Sequence, residues 1–103
     1  MKILLLAVAL VLAQAQVQGP VIRSIKYEGF QGIETGEIVQ RLRDRGVRVA
    51  LEQVYEKAQV DNARTVLREL LTEKGRNGVE VKSSARHLPP KSVEVIFQVV
   101  ENQ

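Results

Sequence analysis

Nine consecutive residues near the C-terminal end, Val93 to Glu101, constrain the fold most. Val93, Val95, Phe97 and Val99 recur at every second position, so on a pleated strand all four project from one face into one core. The other face carries Glu94, Ile96, Gln98 and Val100, a half-polar set that tolerates water. A sheet covered by helices on its apolar side alone needs such a strand. β-Branched residues fill five of the nine positions, which suits a central strand with a neighbour on either side.

Only one domain can be built around it. The chain has 103 residues and 4% aromatic side chains, so its core is aliphatic. There is no cysteine, which excludes disulfides, thiolate metal sites and thiol redox chemistry. The formal charge of +3 is small and spread out, giving little support to a nucleic-acid or anionic-membrane role.

The first residues read as an address. Met1-Lys2 is a short positive start, Ile3 to Ala13 is an apolar run of 11 residues, and Ala13-Gln14-Ala15 is a small-x-small cleavage pattern. A bilayer-crossing helix needs roughly 20 apolar residues, so the run predicts a cleaved signal peptide over 1–15 and not an anchor. No cysteine follows the cleavage site, which excludes a lipid-anchored protein. Cleavage removes Lys2, leaving the mature chain close to neutral, and places it away from cytoplasmic ATP, NAD and RNA. Residues 16–20 are a flexible lead that ends in Gly19-Pro20.

Five elements are then expected. Val21 to Glu28 alternates, with Val21, Ile25 and Tyr27 on the buried side and Arg23 as the exception. Gly29-Phe30-Gln31-Gly32 breaks that strand, and Phe30 folds back to plug the core. Thr35 is the expected N-cap of a first helix with a stripe of Ile38, Val39 and Leu42, which Gly46 stops. Arg41, Arg43 and Arg45 fan out as a solvated face. Val47 to Tyr55 is read as a loop. The second helix, about Glu56 to Lys74, is the strongest pattern: Val60, Ala63, Val66, Leu67, Leu70 and Leu71 line one stripe, with Asp61, Arg64, Arg68 and Glu69 away from it. It stops at Gly75. Val79 to Arg86 is a strand that fades to polar after Val81, as an edge strand does. Pro89-Pro90 lies in the turn of a hairpin with the final strand.

Chemistry is sparse. The single histidine, His87, has no second histidine or cysteine with which to build a metal site. Ser83 and Ser84 lie close to it in sequence, but no acid is placed to orient the imidazole. The chain is therefore expected to be non-enzymatic, without metal or cofactor.

The order and spacing of the whole pattern resemble a POTRA domain: Ile22-x-x-Ile25-x-Tyr27-x-Gly29, Ile38 and Leu42 before Gly46, Ala63-x-x-x-Leu67 and Gly75, Val79-x-Val81, then Val93-x-Val95-x-Phe97-x-Val99-x-Glu101. The likeness spans Val21 to Glu101, and no single motif within it is specific. POTRA domains are periplasmic modules that precede the barrel of outer-membrane assembly and two-partner secretion proteins. The resemblance implies an α+β fold of order βααββ over 21–101, with two helices on one face of a three-stranded mixed sheet of order 1-3-2. It implies a periplasmic protein that meets the membrane only through partners. Those partners are other proteins, either barrel machinery or unfolded client strands, and no nucleic acid. The expected mechanism is strand addition to the open edge, through the backbone of Val79, Glu80, Val81, Lys82, Ser83, Ser84, Ala85 and Arg86, with the groove beside the second helix taking apolar client side chains. Two alternatives stand beside it: a split part of a larger barrel protein, and a self-associating envelope scaffold. Gly75-x-x-Gly78 is also similar to the phosphate loop of KH RNA-binding domains, but that loop joins the two helices, whereas this one follows the second.

Overall fold

The computed structural model describes residues 19–101. The expected signal peptide and the first part of the lead lie outside the described residues. The chain runs β1 (Val21–Glu28), α1 (Thr35–Asp44), α2 (Lys57–Glu73), β2 (Val79–Leu88) and β3 (Ser92–Glu101). The sheet has the order β1-β3-β2. β3 pairs in parallel with β1 and antiparallel with β2, so the strand with the strict apolar alternation occupies the centre. Both helices lie on one face, giving the expected α+β arrangement.

The apolar pattern accounts for the core. Val93, Val95 and Phe97 are buried on β3, Ile22 on β1, Val79 and Val81 on β2, and the full α2 stripe from Val60 to Leu71 packs onto them. Tyr27 stacks on Phe97 at 5.7 Å between ring centroids and meets Phe30 edge-on at 5.9 Å, so Phe30 does seal one end of the core. Burial in this cluster pushes the Tyr27 phenol up to about 12.

β1 departs from simple alternation. The register shifts between Ile22 and Ser24, where Ile22 faces Val93 but Ser24 already faces Glu94. The bulge at Arg23 places Ile22, and not Val21, on the core face together with Ile25 and Tyr27. Arg23 is thereby turned outward, where it pairs with Glu52 at 3.0 Å.

The helix ends follow their glycines. After α1, Gly46 has φ +71°; its amide donates to the Arg43 carbonyl and that of Val47 donates to the Leu42 carbonyl, the two bonds of a Schellman cap. Thr35 is the first helical residue and not the cap: Glu34 occupies that position, without a side-chain capping bond. Val39 is 37% exposed, so Ile38 and Leu42 alone anchor α1. The expected solvated arginine face is partly used, because Arg41 makes a bidentate contact with Glu73 at 2.7 and 2.8 Å. Arg45 pairs with Glu69 at 2.9 Å and Lys74 with Glu37 at 2.8 Å. These pairs lace α1 to α2 across their solvent side.

Candidate functional site

The site begins with a count of backbone groups. β2 bonds β3 on one side and, among the described residues, makes no backbone bond to any other segment. Which of its groups remain free follows from the ladder. The Val21 amide donates to the carbonyl of Lys91, immediately before β3, at 3.0 Å. A strand residue sends its N–H and C=O to the same side, so odd-numbered positions of β3 serve β1 and even-numbered ones serve β2. In the β2–β3 register even faces even, as Ser84 faces Ile96. The main chain of Glu80, Lys82, Ser84 and Arg86 is therefore consumed inward. That of Val79, Val81, Ser83 and Ala85 points out to the open rim. All eight residues named from sequence lie in β2, but only these four offer free backbone groups there.

The side chains sort by the same parity. Glu80, Lys82, Ser84 and Arg86 stand exposed on the face away from the helices. Val79 and Val81 point into the core, Ser83 is half-buried, and Ala85 and His87 are exposed. α2 packs against β2, leaving two shallow grooves along the rim. One, of about 290 Å³, is lined by Arg64, Thr65 and Arg68 of α2 with Glu80, Val81 and Lys82. The other, of about 280 Å³, runs from Tyr55 and Lys57 past Asp61 to Ser83 and Ala85, and Arg64 borders both.

This lining differs from the expected apolar groove. The apolar stripe of α2 is spent on the core, so the flank that reaches the rim is the polar one. Arg64 and Arg68 were legible as lying off the stripe. Their position over β2 depends on the rotation of α2, which the sequence pattern alone does not specify.

An apolar cleft does exist, on the opposite edge. It has a volume of about 520 Å³ and lies between β1, α1 and the loop after α1, lined by Ile25, Tyr27, Val39, Val49 and Leu51 among others. Val39 and Leu51 are the two exposed large apolar residues among those described, and both line it. The β1 rim is shorter than that of β2, because Ile22 is already bonded to the 52–53 loop: its amide donates to the Gln53 carbonyl and its carbonyl accepts from Glu52, each at 2.8 Å.

The outer face of the sheet holds one buried charge. Glu94, 5% exposed at the middle of the sheet, accepts from the Ser24 hydroxyl at 3.0 Å and pairs with Arg86 at 3.0 Å and Lys26 at 3.7 Å. The Ser24 hydrogen bond holds the Glu94 carboxyl below the usual carboxylate range; the two cations add to this, and burial opposes it. Its partners come from β1 and β2 alike, so it ties the edge strands to the centre.

A family model for POTRA, described as a surface antigen variable number repeat, matches residues 20–102. The chain belongs to the POTRA family. Among solved structures, POTRA4 of Haemophilus influenzae BamA is similar, with a TM-score of 0.63 over 84% of this chain and 97% of that one, at 16% identity. At that identity the likeness is one of fold. No curated protein matches the chain significantly. For this POTRA domain the question is therefore what its open rim receives.

Proposed function

We propose that this POTRA domain is a non-enzymatic protein-interaction module of the periplasm that assists outer-membrane protein assembly or secretion by adding a partner strand to β2. The observation that carries the proposal is the run of outward-pointing amides and carbonyls at Val79, Val81, Ser83 and Ala85. These groups bind an extended chain without reading its sequence, which suits clients that share a conformation and little else. Membership of the POTRA family supports the same setting. Export through the apolar leader places the domain where such clients pass.

The choice of rim follows from length. β2 offers its whole outer edge, whereas the outer edge of β1 is closed at Ile22 by the 52–53 loop. The edge is also guarded: Lys82 and Arg86 are exposed on β2, and edge charges of this kind discourage indiscriminate strand pairing.

Amide NMR during titration with an extended peptide of alternating apolar and polar residues tests the reading. Shifts concentrated on Val79–Arg86 are expected. Shifts confined to the β1 cleft, or none at millimolar peptide, would refute it. Pairing of β2 with a second copy would instead give concentration-dependent β2 shifts without peptide, and would favour the scaffold alternative.

A further inference from the structure

We infer that the strand docking on β2 carries carboxylate side chains on the side that faces α2. This rests on the proposed strand addition and specifies its partner. A strand added to β2 continues the sheet, so every second side chain stands on the helix-covered face. There it meets the α2 flank over Val81 and Ser83, where Arg64 and Arg68 line the groove.

That flank has more positive charge than it neutralises. Among the described residues Arg68 makes no ion pair. Asp61 is the acid on this flank of α2, and it is shared between Arg64 at 3.2 Å and Lys57 at 3.5 Å. Glu80 and Lys82 also border the groove, but as even-numbered residues of opposite charge both stand on the far face of the sheet. Arg64 adds a second observation: its side chain is 42% exposed beside the rim, with Asp61 as its one ion-pair partner among the described residues. A carboxylate arriving along the rim can therefore take up the guanidinium donors that Asp61 leaves free. An apolar or cationic side chain cannot, so the groove selects by charge where the rim itself does not.

The test uses the full chain and three synthetic nine-residue peptides in which threonine alternates with glutamate, glutamine or lysine. Each partly exposed ion pair contributes about three- to fivefold in affinity. With Arg64 and Arg68 both engaged, the glutamate peptide is expected to bind about tenfold more tightly than the glutamine one, and the gap narrows as salt is raised. Arg68→Glu, at an exposed position, should weaken the glutamate peptide and strengthen the lysine one. A fourth peptide, the glutamate one with every backbone amide N-methylated, keeps the acids but has no amide to donate to a ladder in either strand direction; it should bind poorly. Equal affinity for it would mean a simple polyanion site and would overturn the inference. Equal affinities of the first three peptides, with shifts still on β2, would overturn it and leave strand addition standing. No binding by any of them would overturn both.

Discussion

Substituting proline at two adjacent residues of β2 separates the ladder from the rim. Ser84 directs its amide to β3, opposite Ile96, whereas the Ala85 amide faces outward. Proline at 84 therefore deletes a sheet hydrogen bond worth about 0.5–1.5 kcal/mol and leaves a β3 carbonyl unmatched at about 1–3 kcal/mol. The described domain has 83 residues, and at about 0.05–0.15 kcal/mol per residue its whole stability is about 4–12 kcal/mol. Ser84→Pro should thus lower the urea midpoint sharply. Ala85→Pro removes a donor that nothing among the described residues accepts, on an edge strand where proline is tolerated, and should cost less than about 1 kcal/mol. In peptide titrations the order reverses in meaning: folded Ala85→Pro should bind an extended peptide about three- to tenfold more weakly, because one interchain bond is gone. Equal destabilisation by the two prolines would refute the parity assignment. Unchanged binding by Ala85→Pro would remove the β2 rim as the docking edge.

Two further outcomes follow from the core and the buried acid. The folded state holds the Glu94 carboxyl below its unfolded value, so its contribution is present above about pH 4.3, the ordinary glutamate value, and is lost as the pH falls through the folded value. Urea midpoints measured from neutral to about pH 3 should therefore drop more steeply for the parent than for Glu94→Gln; parallel curves would mean that the Ser24, Lys26 and Arg86 contacts contribute nothing. Gly29 has φ +84°, and a Cβ there would lie 3.0 Å from that of Val99, whereas Gly46 at φ +71° has open space. Gly46→Ala should cost about 1–2 kcal/mol from backbone strain alone, and Gly29→Ala more in thermal denaturation; equal losses would count against the close approach to β3.

The elements legible in advance were those whose burial is one-sided and periodic. The α2 stripe and the β3 alternation report directly on a core, and the edge position of β2 shows in its polar half from Ser83 onward. What escaped depends on relations between segments. The bulge at Arg23 comes from how β1 is paired, and its residues read as an ordinary irregular alternation. Glu94 looked solvent-facing because its three partners lie on other strands, and only the register brings Ser24 and Arg86 beside it. The same holds for the rim: Val81 and Ser83 were identified as strand residues, but the direction of their amides and the arginines above them depend on sheet order and helix rotation. The apolar lining expected by β2 is found by β1: Val39 lies at the margin of the α1 stripe by an angle that periodicity does not resolve, and Leu51 lies in the loop after α1, where there is no periodicity to read.

The parallel pairing of β1 with β3 also has a mechanical reading. Val21 opens β1 beside Ser92, and Glu101 closes β3 at the far end of the sheet. Tension applied between Val21 and Glu101 is directed along both strands in opposite senses, so the bonds joining them are loaded together in shear and cannot be peeled apart one at a time. A pull along the chain is therefore met by the whole β1–β3 ladder at once.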